Sequence, residues 1–531
     1  MKRKICLFAL MLALLVSSLP LFTLSEMVSA ATTQMQAAIA EAISMLEEER
    51  EEGVIVVFMK EGVTPEQAQE LFISLDILSD LDDREICLSR NYDYFSTSKI
   101  RFTLAIPEER MVEILAELNL SEIVDSACPN YVIMLGDVEN EQLEEAAPVA
   151  AAASSSSTTA SYDPLTTQWA MEQVKYAGSL ESSRTVLIGV LDSGYNPHAD
   201  VDCVDMKLAR NYKNEADLYN VTDDTGHGTF VIGEIGAAFN GIGVNGICKN
   251  AKIVPIKVAK GVPDENGKII GRADLSAICN GMEYAEDQQI KVLNLSYLLL
   301  EHYSVQMKKA NYTGVLVIAA GNFKDDVEGP CSGGDYIYGY NNTSSNWIIV
   351  GATTSSGSKW SWSNYSKKYV DLFAPGYSIR GIAPDGTSYK YQNGTSMAAP
   401  FVTAAAAILL GDNPFLSAKE VREKLINTVT KTSALSNYCV SGGILNINAA
   451  TNSLYDDKRE AYSLGDLDGD GMVTSTDYTM LKRYVLGTLT LDNNAKKAAD
   501  INNDGTIDST DYLLVSRFIS RTTYFPPKHV D

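Results

Sequence analysis

Between residues 163 and 453 the chain alternates short apolar runs with segments of helical pattern. The apolar runs are nearly continuous and rich in β-branched residues, and they lie at 185–191, 252–258, 292–295 and 315–319. A strand without polar alternation is buried on both faces, and intervening helices supply the crossovers of a parallel sheet. The pattern therefore predicts a three-layer α/β domain, with helices covering both faces of a parallel sheet.

Four polar residues stand where such a sheet would place its binding edge, since ligands bind at the carboxyl ends of the strands. Asp192 closes the first run and Asn322 follows the fourth. His227 lies between two glycines, ahead of a predicted helix. Ser396 lies between a glycine-led turn and a long alanine-rich apolar run. These four residues are the candidate site.

Together they offer the parts of an acyl-transfer centre. Ser396 would be the nucleophile, His227 the base that takes its proton, and Asp192 the group that holds the imidazole. The Asn322 side-chain amide and the Ser396 backbone N–H would bind the oxyanion. Each residue also has a simpler alternative, because Ser396 or Asp192 could cap a helix, His227 could bind a metal and Asn322 could close a turn. The presence of all four, in the order Asp, His, Ser, favours catalysis.

The length and charge of the chain limit what else it does. With 531 residues it is too long for one compact core, and about three folded units are expected. Its formal net charge is 43 minus 68, or -25, so we expect no binding of nucleic acid or of other polyanions.

The amino terminus is typical of a secretory signal. Lys2, Arg3 and Lys4 precede an apolar run at 5–24, and small residues at 28–30 suit a signal peptidase. We expect residues 1–30 to be cleaved, and the mature protein to be secreted, extracellular and free of the membrane; the alternative is an uncleaved membrane anchor. The stretch 398–410 is too short to span a bilayer, so it is expected to be a buried helix.

A small α/β unit is predicted at 53–135. Strand-like runs at 54–59, 100–106 and 131–134 flank a helix start at Thr64 and a helical segment at 107–118. The stretch that follows is rich in Glu, Ala, Ser and Thr and cannot bury enough apolar area to order itself. We therefore expect an exposed, cleavable linker at 146–161.

The segment from about Gln168 to Asn452 resembles the subtilisin-like serine proteases, and the catalytic domain is expected at 162–453. The resemblance rests on Asp-Ser-Gly at 192–194, Gly-His-Gly-Thr at 226–229, Ala-Gly-Asn at 320–322 and Gly-Thr-Ser-Met-Ala-Ala-Pro at 394–400. It implies a subtilisin-like catalytic domain that hydrolyses protein or peptide substrates through an Asp-His-Ser triad. Residues 53–135 likewise resemble the propeptide of the family, an intramolecular chaperone and inhibitor that autoprocessing removes, and the whole propeptide is expected at 31–145.

Two segments depart from the family pattern. Where the family has Ser-Leu-Gly-Gly, this chain has Ser296-Tyr297-Leu298-Leu299, which predicts a narrower or differently shaped substrate groove. Phe323 follows Asn322, and an insertion-like segment lies at 325–346. The residues that line the specificity pocket therefore cannot be assigned from the family pattern. A blocked groove would make the chain a catalytically impaired peptide-binding or regulatory module, which is the alternative to an active enzyme.

The resemblance also implies structural calcium near the start of the catalytic domain. Asp163 and Asp200 lie near the matching places. The alternative is that both are surface aspartates without a ligand role.

Disulfides are not expected to be the main staple of this exported protein. Of its eight cysteines, five lie outside the segments expected to be removed, and these are Cys203, Cys248, Cys279, Cys331 and Cys439. The number is odd and the spacing matches no compact framework.

An internal repeat begins at Asp466 and again at Asp500. Each copy places oxygen ligands at alternate positions, a glycine for a sharp turn and a closing carboxylate, which are what Ca2+ requires. The predicted ligand positions are Asp466, Asp468, Asp470, Met472, Thr474 and Asp477 in the first copy, and Asp500, Asn502, Asp504, Thr506, Asp508 and Asp511 in the second. A helix should follow each loop, at 478–486 and 512–519, and so small a unit should depend on calcium to fold.

The segment 464–522, between a linker at 454–463 and a tail at 523–531, resembles a type I dockerin. The resemblance implies a small all-α calcium-binding module that docks on a type I cohesin of a cellulosome scaffoldin. The positions that would contact cohesin are Ser475, Thr476, Lys482, Arg483, Ser509, Thr510 and Arg517. The alternative is a generic calcium-sensing pair of loops.

Overall fold

A computed structural model gives the fold of the chain in segments. The described residues are 24–46, 50–60, 62–75, 101–134, 162–176, 184–214, 217–264, 267–297, 307, 310–328, 345–414, 416–456, 464–468, 473–502 and 505–519. Most of the predicted signal, the linker at 146–161, most of the linker at 454–463 and the tail lie outside them, as do Cys6, Cys87 and Cys331.

The amino-terminal unit is a small α/β fold. Its elements are α1 (Leu24–Met45), β1 (Arg50–Met59), α2 (Pro65–Ser74), β2 (Arg101–Ala105), α3 (Met111–Asn119) and β3 (Val124–Met134). β1 lies in the middle and pairs antiparallel with both β2 and β3. α2 begins where the sequence predicts, because Thr64 and Gln67 form a capping box around Pro65. α1 runs across the predicted signal boundary at residue 30.

The middle of the chain is the largest unit. Its elements are α4 (Gln168–Gln173), β4 (Val186–Asp192), β5 (Arg210–Asn211), α5 (His227–Gly236), β6 (Ala251–Lys257), β7 (Ala259–Pro263), β8 (Ile269–Asp274), α6 (Leu275–Asp287), β9 (Val292–Leu295), β10 (Val315–Ala319), β11 (Trp347–Thr353), β12 (Leu372–Pro375), β13 (Ile379–Ile382), β14 (Tyr389–Gln392), α7 (Thr395–Asp412), α8 (Ala418–Asn427), β15 (Thr430–Lys431), β16 (Gly443–Ile444) and α9 (Ile447–Asp456).

A nine-stranded sheet organises this unit, in the spatial order β15-β16-β12-β11-β10-β9-β4-β6-β5. Neighbouring strands are parallel except for the short pair β15–β16 at one edge. One face packs against α5, α7 and α8, and the other packs against α6. The prediction of a three-layer α/β domain is therefore confirmed.

α7 is the core helix, and every residue from Thr395 to Gly411 is buried. In the described part of the chain it is the one helix long and apolar enough to cross a membrane, and almost all of it is buried inside the protein. The expectation of a buried helix at 398–410 is thus confirmed.

A strand pairing joins the amino-terminal unit to the middle unit. β3 pairs antiparallel with β8, with Val132 opposite Asp274 and Met134 opposite Arg272. This creates a five-stranded sheet in the order β2-β1-β3-β8-β7, which crosses from one unit to the other.

The carboxy-terminal unit contains α10 (Ser475–Val485), α11 (Asn493–Ala499) and α12 (Ser509–Ile519). Its small core includes Leu467, Leu481, Ile501 and Val515. Tyr478 and Tyr512, at equivalent positions of the two repeats, stack with ring centroids 5.2 Å apart. The two helices that follow the repeats match the prediction, whereas α11 was not predicted from the sequence.

Glu234, on α5, has a buried carboxyl group that accepts no hydrogen bond from the described residues. Its residue is 6% exposed, and both side-chain oxygens are unsatisfied. Burial raises its pKa well above the ordinary value of 4.5, because the charged form would lose its hydration. The folded protein then keeps a proton that the unfolded chain releases above that pH. The free energy of unfolding is therefore not reduced by this group below its unfolded-state pKa, and it falls as the pH rises from there towards the folded-state pKa.

Replacing Glu234 by Met, which has similar volume and no charge, should raise the free energy of unfolding at pH 8 by about 1–3 kcal/mol. The gain should shrink as the pH falls towards 4.5, the ordinary Glu value. Urea denaturation of Ser396→Ala protein at several pH values measures it without interference from proteolysis. Glu423→Met, at an exposed position of α8, is the matched control and should give no such gain. An equal gain at pH 5 and pH 8 would contradict the account.

Candidate active site

The four candidate residues lie at the ends of central elements, all of them buried. Asp192 is the last residue of β4, and His227 is the first residue of α5. Asn322 follows the end of β10, and Ser396 lies in the first turn of α7. β4 and β10 both border β9, so their carboxyl ends open on the same edge of the sheet.

Asp192 and His227 form a close pair. His227 Nδ1 lies 2.8 Å from Asp192 Oδ1 and 3.0 Å from Oδ2. The two side chains are at most 1% exposed, so little water competes for these bonds. The Ser193 backbone N–H also donates to Asp192 Oδ1, at 2.7 Å. The carboxylate is thus fixed on the side of Nδ1, which leaves Nε2 as the nitrogen that can exchange a proton with a substrate or nucleophile.

The glycines beside His227 allow this pairing. A Cβ at Gly228 would lie 2.4 Å from the Gly194 carbonyl oxygen and 3.1 Å from the Asp192 Cβ. The first turn of α5 therefore packs directly on the turn that follows β4. Any side chain at Gly228 would push His227 away from Asp192.

Ser396 does not cap its helix. α7 begins at Thr395, and its N-cap residue is Gly394. Gly394 has φ 155° and ψ 161°, a backbone region that essentially only glycine adopts. A Cβ there would lie 3.3 Å from Asn322 Nδ2. The helix-cap alternative for Ser396 is therefore wrong, and the glycine lets the Asn322 amide lie beside the start of the helix.

Asn322 is oriented by Thr395. Its Oδ1 accepts hydrogen bonds from the Thr395 backbone N–H and hydroxyl, both at 2.9 Å. The Thr395 hydroxyl in turn accepts from the Gly321 N–H at 2.9 Å. With Oδ1 held in this way, the Nδ2 group is directed to the Gly394 side, next to Ser396.

The Ser396 hydroxyl donates to the Ser296 carbonyl oxygen at 3.2 Å. Within the described residues, it makes no hydrogen bond to His227 Nε2 in this conformation. Ser296 Oγ donates to the Ser396 carbonyl oxygen at 2.9 Å, which ties the end of β9 to α7. Catalytic hydrogen bonds are often long or misaligned without substrate, and a rotation of the hydroxyl changes its partner.

Sequence reasoning missed several residues that support the site. Ser296 and Asn294 connect β9 to α7, where the Thr403 hydroxyl donates to Asn294 Oδ1 at 2.8 Å. Ser193 and Asp223 form a network beside His227. The sequence did contain a signal for both residues, because Asn294 interrupts an otherwise apolar run and Ser296 directly follows it.

The expected narrowing or reshaping of the groove by the segment 296–299 receives no support from Tyr297 and otherwise stays a prediction. Tyr297 is fully buried in the core on the α6 face of the sheet, so its side chain does not line the groove. Leu298 and Leu299 lie outside the described residues, as does most of the insertion-like segment at 325–346. Phe323, next to Asn322, is 44% exposed.

Asp163 and Asp200 both contact the loop at 240–244, but through hydrogen bonds. Asp163 accepts from the Gly241 N–H at 3.0 Å and the Asn240 N–H at 3.1 Å. Asp200 accepts from Asn240 Nδ2 at 2.9 Å and from the Val244 N–H at 2.8 Å. Calcium requires several convergent oxygen ligands, and among the described residues Asp163 and Asp200 belong to no converging group of three His, Cys, Asp or Glu side chains. The calcium assignment therefore stays a prediction.

The first repeat loop of the carboxy-terminal unit does gather acidic oxygens. One ligand atom from each of Asp466, Asp468 and Asp477 lies within 4.8 Å of the others. In the described part of the chain, no other group of three His, Cys, Asp or Glu residues converges in this way. Such a donor set fits a hard cation. Thr474, within the loop, is the N-cap residue of α10, while Asp470 and Met472 lie outside the described residues.

The second loop repeats a backbone hydrogen bond of the first loop. Asp511 Oδ1 accepts from the Ile501 N–H at 2.7 Å, as Asp477 Oδ1 does from the Leu467 N–H at 2.7 Å. The predicted ligands Asp500, Asn502, Thr506 and Asp508 are described in this loop, and Asp504 is not.

The predicted partner-contacting residues lie at the surface. The exposed residues are Ser475, Thr476, Lys482, Arg483, Ser509 and Thr510. Arg517 lies on α12, and its side chain is outside the described part. The two Ser-Thr pairs open equivalent helices, α10 and α12.

Comparison with known proteins identifies two domains in the chain. The profile of the subtilase family matches residues 183–450, and that of the dockerin type I domain matches residues 464–520. Subtilisin BL of Lederbergia lenta is 32% identical over 297 residues, which cover 53% of this chain and 98% of that protein. Subtilisin DY of Bacillus licheniformis is 33% identical over 270 residues, which cover 50% of this chain and 90% of that protein.

A solved structure shares the fold over more of the chain. The epidermin leader peptide processing serine protease of Staphylococcus aureus aligns with a TM-score of 0.54 at 18% identity, covering 77% of this chain and 100% of that one. At this identity the likeness concerns the fold alone. With the family match over half of its length, the chain belongs to the subtilase family of serine endopeptidases and carries a type I dockerin domain at its carboxyl end.

Proposed function

We propose that the chain is a secreted endopeptidase, made as a zymogen, that hydrolyses peptide bonds through Asp192, His227 and Ser396 and is carried on an extracellular scaffold. The observation that carries the proposal is the buried Asp192–His227 pair at the same sheet edge as the Asn322–Thr395–Ser396 cluster. A base held by a carboxylate, next to a hydroxyl at a helix start, is the arrangement that acyl transfer requires.

In the proposed reaction the Ser396 hydroxyl turns from the Ser296 carbonyl to His227 Nε2. Oγ attacks the peptide carbonyl carbon as its proton passes to Nε2, and Asp192 stabilises the imidazolium through Nδ1. The C–N bond then breaks while the imidazolium returns the proton to the leaving amine. Water releases the acyl group in the same two proton transfers, which restores the hydroxyl.

The oxyanion formed in each step has two donors nearby. These are Asn322 Nδ2, which Thr395 orients, and the Ser396 N–H in the first turn of α7. The first N–H groups of a helix have no intrahelical acceptor, and their dipoles favour negative charge. Preorganised donors of this kind are commonly worth 10²–10³ in kcat each.

The amino-terminal unit is proposed to be the propeptide, at 31–145, with release through the linker at 146–161. Its contacts support this role. Arg101, 7% exposed, reaches Glu283 on α6 at 2.6 Å and crosses from one unit to the other. The Asn130 side-chain oxygen accepts from the Ser276 N–H at the start of α6 at 3.0 Å. A unit that shares a sheet with the β7–β8 hairpin covers that hairpin until it is removed.

The carboxy-terminal unit is proposed to dock on a type I cohesin of a scaffoldin, which would place the protease on a cellulosome. Bound calcium would draw the loop oxygens together and couple metal binding to folding. The loops precede α10 and α12, and the loop residues thereby fix the helices that carry Ser475, Thr476, Ser509 and Thr510. Equivalent pairs in both copies would permit docking in either of two orientations.

Replacing Ser396 by Ala should abolish hydrolysis of a casein-type substrate and release of the propeptide. In subtilisin, a relative of this chain, loss of the nucleophile lowers kcat on the order of 10⁶. Hydrolysis assays and amino-terminal sequencing of the secreted protein measure the two effects. The matched control is Ser417→Ala, which removes a true helix cap at α8, costs about 1 kcal/mol of stability and should leave kcat unchanged. Unchanged hydrolysis and processing in Ser396→Ala would sink the assignment and favour the inactive peptide-binding module.

Removing calcium should unfold the carboxy-terminal unit and leave the catalytic unit folded. In Ser396→Ala protein, the thermal transition of the small unit should move up with added calcium, by about 2.7 kcal/mol of stability at 100 times Kd. Asp477→Ala combined with Asp511→Ala should remove this response. Capture by an immobilised type I cohesin should follow the same dependence, and capture that persists in excess chelator would refute the mechanism.

A further inference from the structure

A second buried carboxylate, Asp223, lies four residues before His227 and is 5% exposed. Its Oδ2 accepts from the Thr229 N–H at 2.8 Å and the Thr229 hydroxyl at 2.7 Å. Its Oδ1 accepts from the Gly226 N–H at 2.8 Å and the Thr225 N–H at 3.1 Å. The donors are the loop before α5 and the first turn of that helix.

These bonds replace a missing cap. The N-cap residue of α5 is Gly226, which has no side chain to satisfy the first N–H groups of the helix. Asp223 satisfies two of those groups from outside the helix, and its negative charge complements the helix dipole. Because His227 is the first residue of α5, the position of its imidazole depends on the position of this turn.

Asp223 also competes for the proton of Ser193. Ser193 Oγ lies 2.8 Å from Asp223 Oδ1 and 3.1 Å from Asp192 Oδ1. Ser193 Oγ also accepts from the Gly228 N–H at 3.0 Å and from the Thr225 hydroxyl at 2.7 Å. A hydroxyl has one proton, so it can be donated to only one of the two carboxylates at a time.

The hydrogen bonds of the network favour an ionised Asp223. Burial opposes its ionisation, but the hydrogen bonds from Thr229, Ser193 and Gly226 outweigh burial and hold the pKa of Asp223 below its ordinary value. The other charged groups here are Asp192, Asp224 and Lys257, whose ammonium group donates to Asp224 at 2.9 Å and to the Ser193 carbonyl oxygen.

We propose that Asp223 is a positioning residue for the reaction: it fixes the turn that carries His227 and holds the Ser193 proton away from Asp192. Asp192 Oδ1 then interacts with the imidazole and the Ser193 N–H without competition from the Ser193 hydroxyl. The inference rests on the proposed function of Asp192, His227 and Ser396. Asp223 itself touches no reacting atom.

The test replaces Asp223 by Asn, which keeps the shape of the side chain but weakens its acceptor oxygen. The Ser193 proton should then pass to Asp192 Oδ1 and compete with His227 Nδ1. The imidazolium loses stabilisation, so the acid limb of the pH profile of kcat/KM should move to lower pH. Per titrated active site, kcat should fall about 10- to 100-fold, a part of the 10²–10⁴ that a positioned base contributes, with KM unchanged.

Two further variants separate positioning from mere stabilisation. Asp371→Asn is the matched control, because Asp371 is also a buried carboxylate that accepts hydrogen bonds, from Arg422 and from the Ile349 N–H. It directly precedes β12, which lies four strands away from β4 in the sheet. This control replacement should lower Tm but leave kcat per site and the acid limb unchanged. Adding Ser193→Ala to Asp223→Asn removes the competing proton, so the acid limb should return towards the wild-type position, a non-additive result.

The outcomes are distinct. If Asp223→Asn lowers Tm alone, as the control does, Asp223 is only a helix cap and the proposal is overturned. If the Asn variant does not fold, Ser193→Ala alone decides: an unmoved acid limb supports the proposal, and a rise shows that the Ser193 proton already rests on Asp192. Failure of the proposed function would show differently, as wild-type protein without turnover or a Ser396→Ala variant that retains it.

Discussion

The site depends on the close packing of α5 against the turn after β4. Gly228 packs against the Gly194 carbonyl oxygen so closely that a Cβ at position 228 would lie 2.4 Å from that oxygen. This close contact allows His227 Nδ1 to lie 2.8 Å from Asp192 Oδ1. Residues far apart in the chain therefore meet because a parallel strand and a helix start share one edge of the sheet. Burial of both side chains strengthens the interaction, since the effective dielectric constant is low there.

Close packing in the core also positions Ser396. α7 is buried along nearly its whole length, so its first turn is fixed by the core rather than by local contacts. Gly394 adopts a conformation reserved for glycine, and Thr395 orients Asn322 beside Ser396. Two helix starts, one carrying the imidazole and one carrying the hydroxyl, thus converge on the edge formed by β4, β9 and β10.

The sequence predicted the sheet and the four candidate residues because both leave local signals, β-branched runs and polar residues at their ends. It could not predict that the Tyr297 side chain is buried in the core, because the alternation of side chains between the two faces of a strand no longer applies after β9 ends. Nor could it show that Asp163 and Asp200 are satisfied by N–H and O–H donors of a neighbouring loop and hairpin, which come together only in the fold. The network of Asp223 and Ser193 was hidden for the same reason: its members are ordinary turn residues until they meet.

Ser396 is proposed to be the one activated hydroxyl of the mature protein, and a fluorophosphonate probe tests this most directly. The probe reacts with serines that a neighbouring base activates, and peptide mass spectrometry locates the adduct. We expect a single adduct on Ser396 in protein whose amino-terminal unit has been removed, and none after Asp192→Asn or His227→Ala. Mature protein that remains unlabelled, or an adduct on a different serine, would contradict the account.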